Sequence, residues 1–161
     1  MSEHATFLAA VHIIIRQRET GKILFQRRQG TKLYCGWLGL PAGHVDAGEH
    51  PIEAAIREAK EELGIEVTSR DVAYECHSTR RYPDSRVYFD AYYDFYTNYA
   101  GEPQIMEPAK CAELVWLDSE EWQNRDDVIA YEKRGLEELR CHTAFFSQDC
   151  DCCEDVEVPK R

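Results

Sequence analysis

The sequence predicts an α/β fold in which several strands surround one strongly amphipathic helix, with a second helix near the C-terminus. Two observations carry this. Residues 86–96 alternate: Val87, Phe89, Ala91, Tyr93 and Phe95 fall on one face, and Tyr88, Asp90, Tyr92, Asp94 and Tyr96 on the other, the period of a strand. Residues 51–63 instead repeat at three and four, with Ile52, Ala55, Ile56, Ala59 and Leu63 forming one apolar stripe, the period of a helix with one buried face.

The remaining elements follow in order. Residues 5–15 are apolar and β-branched and read as a buried strand. Residues 19–22 form a turn, and 23–28 read as the second strand of a hairpin. After a glycine-containing loop, residues 38–45 (LGLPAGHV) read as one short strand whose glycines allow close backbone approach. Pro51 suits the first position of the helix, and Gly64 stands just past its end, where a left-handed residue is favoured. Residues 72–81 and 86–96 form two strands joined by a Tyr-Pro-Asp-Ser turn. A last strand is expected at 112–117, a short helical turn from Asp118, and a C-terminal helix at 128–140. From 141 onward the chain is acidic, rich in cysteine and without a period. It reads as a mobile tail outside a single domain of residues 1–140.

The bulk properties exclude some classes. At 161 residues, one domain with a real core is expected. The net charge of −11 disfavours nucleic acid as a partner, since non-specific binding needs arrays of Lys and Arg. No apolar run approaches the ~18 residues of a membrane span. The N-terminal apolar stretch has no basic leader before it, so it reads as a strand instead of a signal peptide. The seven cysteines are then expected as free thiols in a reducing cytoplasm. Cys150, Cys152 and Cys153 with His142 lack the paired C-x2-C spacing of a zinc site. If the substrate is a polyphosphate, something local must offset the acidic charge, and a bound divalent metal would do so.

Glu58, Glu61 and Glu62 stand at i, i+3 and i+4 of the central helix and therefore share one face. Alone, such a cluster reads as a solvated helix face. Carboxylates are also the ligands that hard cations such as Mg²⁺ take. The wider pattern decides between these readings. Gly43, Glu49, Arg57, Glu58, Glu61, Glu62, Gly64 and Ile65, with Ala59 at the first aliphatic position, match G-x5-E-x7-R-E-U-x-E-E-x-G-U, where U is an aliphatic residue. This resembles the Nudix box, and residues 5–140 are similar in layout to MutT-like members of the Nudix hydrolase family.

The resemblance implies an α/β/α sandwich around a mixed β-sheet, and a hydrolase that uses Mg²⁺, or Mn²⁺, to cut a diphosphate linkage. By motif position, Glu58 and Glu62 would be metal ligands and Glu61 a further ligand or water activator. The carbonyl of Ala42, beside Gly43, would be another ligand. Glu49 and Arg57 would pair to brace the loop against the helix. Glu107, in the loop before the last strand, is a second candidate for the base or a ligand, with Glu102 and Glu113 as nearby competitors. Arg27 and Arg28 end the second strand on opposite faces, so only one can meet a substrate phosphate. Arg80 and Arg81 are alternatives.

The substrate is the least specified part. A nucleoside triphosphate, including an oxidised one, leads. Trp122, Asp126 and Asp127 resemble the base-holding region of oxidised-purine triphosphatases, although two acids there also suit a helix N-terminus. Tyr82 and Tyr88 could stack a base, and Tyr82 also suggests a dinucleoside polyphosphate. A nucleotide-sugar hydrolase, a non-catalytic nucleotide sensor, an isomerase of the same fold and an RNA-decapping enzyme are the rivals. The intact box disfavours the sensor, the surroundings of Cys35 the isomerase, and the acidic charge the decapping enzyme. A homodimer is left open, because MutT-like proteins occur as monomers and dimers.

Overall fold

The computed structural model describes residues 4–150. The strands are β1 (Leu8–Ile15), β2 (Ile23–Arg28), β3 (Leu38–Gly39), β4 (Ala42–His44), β5 (Ala73–Arg81), β6 (Val87–Tyr96), β7 (Cys111–Leu117) and β8 (Phe145–Asp149). The helices are α1 (Pro51–Leu63), α2 (Ser119–Asn124) and α3 (Ala130–Arg140), with a 3₁₀ turn at Ser69–Asp71. A five-stranded mixed sheet runs β4-β1-β6-β5-β8, and a three-stranded antiparallel sheet runs β3-β2-β7. The large sheet is parallel at β1–β6 and at β5–β8. The α/β class with a mixed sheet is as expected. Among the described residues no helix is long and apolar enough to cross a membrane.

Both faces of the large sheet are covered. Val11, Ile13, Ala91 and Phe95 pack with Ala55, Ala59 and Leu63 of α1 in one core. Ile14, Cys76 and Tyr92 pack with Phe25, Trp122 and Leu136 in the other. The alternation in β6 therefore separates two buried faces, and the buried side chains of Asp90 and Asp94 need partners. Arg16 supplies one, with Nη2 at 2.5 Å from Asp94 Oδ2.

Three expectations are corrected. β1 and β2 do not form a hairpin ladder; they meet only at the Arg16–Ile23 bridge. Both edges of β1 are already taken, by β4 and β6, so β2 turns away to pair with β3 and β7. The segment 38–45 is two strands, not one. The chain passes from the small sheet to the large one at Leu40–Pro41, where proline has no N–H for a ladder, while the Pro41 carbonyl accepts from Ile13 N at 2.8 Å. The domain does not end at 140. β8 pairs in parallel with β5, Phe146 is buried in the second core and Cys150 is buried. Cys152 and Cys153 lie outside the described residues.

His12 of β1 is buried between Asp90 of β6 and Glu132 of α3. Its Nε2 lies 3.2 Å from Asp90 Oδ1 and its Nδ1 3.2 Å from Glu132 Oε1. The second contact is an ion pair by distance without hydrogen-bond alignment. Burial alone pushes the imidazole pKa down, but the two carboxylates outweigh it and raise it to about 9. The folded state thus holds a proton that the unfolded chain releases near pH 6.5. This contribution is complete below pH 6.5 and is lost as pH rises through about 9. Urea unfolding should show stability falling by on the order of 3 kcal/mol across that window. His12→Gln should flatten this slope; an unchanged slope would place the proton elsewhere.

Candidate active site

The site is built where α1 meets β4. The helix begins at His50, whose backbone N–H donates to Glu53 Oε2 at 2.9 Å in a capping box. It ends at Gly64, whose φ of 68° is left-handed. Packing the alanine stripe of α1 against the sheet turns Glu58 and Glu62 toward β4. There Gly43 permits the approach: a Cβ at this position would lie 2.0 Å from Glu58 Cδ.

These groups open on a cleft of about 350 Å³. Glu58, Glu62 and Glu107 line it, together with Ala42, Gly43 and Arg28. Glu107 arrives on a loop tied to the end of α1. Gln104 N donates to Leu63 O at 3.0 Å and Met106 N to Glu62 O at 3.1 Å. Gln29 holds the same loop from the other side, donating to the carbonyls of Lys110 and Pro108.

The carboxylates are electrostatically loaded. Burial first, then the charges of Glu58 and Glu107, push the Glu62 carboxyl up to about 8, against a backbone hydrogen bond from Ala42 and the charge of Arg28. Its Oε2 is buried with no hydrogen-bond partner. Burial also raises Glu58, with Arg57 pulling the other way. Arg57 is the hub of the loop. It donates to Glu49 at 2.9 and 3.0 Å, to Glu58 at 2.7 Å, to Glu61 at 3.2 Å and to the His44 carbonyl at 3.0 Å. Its hydrogen bond holds the Glu49 carboxyl down at about 2. The expected Glu49–Arg57 pair is therefore present.

The structure brings together Glu58, Glu62, Glu107, Ala42, Gly43, Arg28 and Tyr82, all of which line the cleft. Arg80 and Tyr88 line it too; the other candidates do not. Glu61 is 54% exposed on the outer side of α1, against Arg57, and does not line the cleft. Arg27 turns away from it to pair with Glu113 at 2.6 Å and Asp127 at 3.1 Å. Asp127 is held by Arg125 and Arg27, which keep its carboxyl at about 2, and it too lies off the cleft. Trp122 is core. Strand alternation settled that one arginine faces in; the structure shows it is Arg28.

Sequence reasoning missed Lys110 and Tyr131, which also line the cleft. Of the set His12–Asp90–Arg80–Glu132 it named only Arg80 as a candidate. The available signal was the acid at position 90, on a strand flanked by apolar neighbours on both faces.

The donor set suits a hard divalent cation: carboxylate oxygens, one of them buried and unpartnered, beside a backbone carbonyl. As placed, no three described His, Cys, Asp or Glu side chains close on one point. Glu58 engages Arg57 and Glu107 engages Lys110 at 2.9 Å, so binding a cation would mean exchanging these contacts for it.

Known proteins resemble this chain in sequence and in fold. The asymmetrical bis(5'-nucleosyl)-tetraphosphatase of Caenorhabditis elegans is 38% identical over 73 residues, covering 45% of this chain and 52% of that protein. The chain thus spans about half the length of that relative. The crystal structure of a MutT NUDIX hydrolase from Burkholderia pseudomallei superposes with a TM-score of 0.71 at 24% identity, over 83% of this chain and 98% of that one. The MutT protein from Methanosarcina mazei Go1 gives 0.72 at 21% identity, over 87% and 97%. At these identities the two structures establish a shared fold. The NUDIX domain itself matches residues 6–139, most of the length, and the chain belongs to that family.

Proposed function

We propose that this chain is a Mg²⁺- or Mn²⁺-dependent pyrophosphohydrolase that cleaves a diphosphate linkage in a small nucleotide, with nucleoside triphosphates, oxidised ones included, as the leading class. The observation that carries the proposal is the Glu62 carboxylate, buried with one oxygen unpartnered between Glu58 and Glu107. Such a group is costly unless something binds it.

In this reading Glu58 and Glu62, with the Ala42 carbonyl, hold the cation. When bound, it neutralises charge on the phosphates and favours ionisation of the attacking water. Arg57 and Glu49 keep Glu58 and the loop in place. Arg28 and Lys110 supply the fixed positive charge along the phosphates. Glu107 takes the proton from the attacking water; Glu61, expected as a candidate for that role, lies outside the cleft. Attack at phosphorus then breaks the anhydride, giving a nucleoside monophosphate and pyrophosphate from a triphosphate. The likeness to a dinucleoside tetraphosphatase favours a second reading, cleavage within a longer polyphosphate bridge.

The test is turnover of ordinary and oxidised nucleoside triphosphates, dinucleoside polyphosphates, ADP-ribose and NADH with Mg²⁺, products resolved by chromatography. One class should be cleaved well above the rest, and chelation should stop it. Equal, chelator-resistant rates, or none, would overturn the proposal.

A further inference from the structure

The cleft has a second end, and its chemistry differs from the carboxylate end. Arg80 lies on β5 and Ala42 on β4, three strand spacings apart in the order β4-β1-β6-β5, at least about 14 Å at about 4.8 Å per spacing, and Arg80 pairs with Tyr88, four residues along β6 from the level of Ala42. Arg80 is only 3% exposed, yet it lines the cleft. We propose that Arg80 is a specificity-determining residue that reads the acceptor edge of the base, selecting guanine- or hypoxanthine-type bases over adenine. This rests on the nucleotide reading above.

Three observations support a base here and exclude a phosphate. First, the local charge is not positive. Arg80 and His12 face Asp90 and Glu132. The set sums to zero with His12 protonated and to minus one without its proton. A phosphate finds its counter-charge at the other end, and a neutral group suits this one. Second, the guanidinium lies in a box of tyrosine rings, 3.9 Å from the Tyr131 centroid, 4.6 Å from Tyr88 and 5.1 Å from Tyr82. Such an apolar enclosure suits a flat ring, and a hydrogen bond made inside it is strengthened by the low dielectric.

Third, the guanidinium is oriented before any ligand arrives. Its Nε donates to Asp90 Oδ2 at 2.7 Å and Nη2 to Asp90 Oδ1 at 3.0 Å, and Nη1 donates to the Tyr82 hydroxyl. A guanidinium has five N–H donors and no acceptor, so one N–H on each Nη is left over. The nearby acids offer no acceptor to a ligand, because Asp90 and Glu132 are buried behind Arg80 and His12 and neither lines the cleft. A donor-only edge matches N7 and O6 of guanine, as in the commonest arginine–base contact. It opposes the N6 amino group of adenine.

The experiment compares binding of GMP, AMP and 7-deaza-GMP to the full chain by titration calorimetry, with Mg²⁺-dependent turnover of the matching triphosphates in parallel. GMP should bind about 10- to 100-fold more tightly than AMP, and 7-deaza-GMP should lose most of that advantage because N7 is gone. Arg80→Met, which removes the donors and is checked by thermal melting, should bring GMP down to the level of AMP. AMP binding as tightly as GMP, full retention by 7-deaza-GMP, or no binding of either would overturn the proposal. The comparison of ligands on the unaltered protein does not depend on the variant folding. Base preference without turnover of any nucleotide would sink the hydrolase reading and leave the base site standing; turnover without base preference would do the reverse.

Discussion

Glu62→Gln should lose turnover by about a thousandfold, because the cation it is proposed to hold would supply several kcal/mol of charge stabilisation in the transition state, while the metal-free protein becomes more stable. Both effects have one origin. The Glu62 carboxyl is buried beside two other carboxylates, has an unpartnered oxygen, and is pushed up to about 8. The unfolded chain holds this group near the ordinary glutamate value, so the metal-free fold is increasingly penalised as pH rises from about 4.5 to 8. Glutamine carries no charge and escapes the penalty. At pH 7.5 the variant should gain on the order of 4 kcal/mol, about ten degrees in Tm, and near pH 4.5 the gain should vanish. Lost activity with added stability is the signature of a site strained for its ligand. A variant that is inactive and also less stable at pH 7.5 would mean that Glu62 is structural.

Gly43→Ala should cost about a hundredfold in kcat/KM and little in stability. The added Cβ would stand 2.0 Å from Glu58 Cδ and 2.1 Å from Oε1, so Glu58 must swing out of the cleft. Gly43 is not among the glycines with positive φ, so its backbone accepts alanine. The fold therefore loses only a side-chain rearrangement, about 1 kcal/mol. The active site loses a proposed cation ligand, and Arg57 loses its 2.7 Å contact with it. Melting and steady-state kinetics on the same preparation check this. A large drop in Tm with normal specific activity would refute the cradle role assigned to Gly43.

How much of this was legible in the sequence depends on whether the determinant was local. Helix α1 was readable to the residue because its signals are local: Pro51 at its start, Gly64 at its end and an apolar stripe between. The strand at 86–96 was equally clear from its alternation. The break at Pro41 was not, since nothing in LGLPAGHV says that its two halves join different sheets. β8 was invisible because five residues, FFSQD, are too few to show a period, and its pairing with β5 is set some 68 residues away.

The same division runs through the site. The box brought Glu58, Glu62 and Gly43 to one cleft, since spacing on one helix and its preceding loop determines where they point. It did not exclude Glu61, whose side chain follows Arg57 outward. Alternation could say that Arg27 and Arg28 diverge, but only the partners Glu113 and Asp127 show which turns away. The His12–Asp90–Arg80–Glu132 set joins three strands and a helix, and no local pattern could have assembled it.

The central claim is that the carboxylate end of the cleft, where Glu62 Oε2 has no hydrogen-bond partner, holds a divalent cation. The most direct measurement is calorimetric titration of Mn²⁺ into the metal-free chain, without nucleotide, beside Glu62→Gln and Gly43→Ala. The account predicts saturable binding to the unaltered protein, weakened at least about tenfold in both variants, with thermal stability of the unaltered protein rising as metal is added. Saturable binding that survives both substitutions unchanged, or no binding at all, would contradict it.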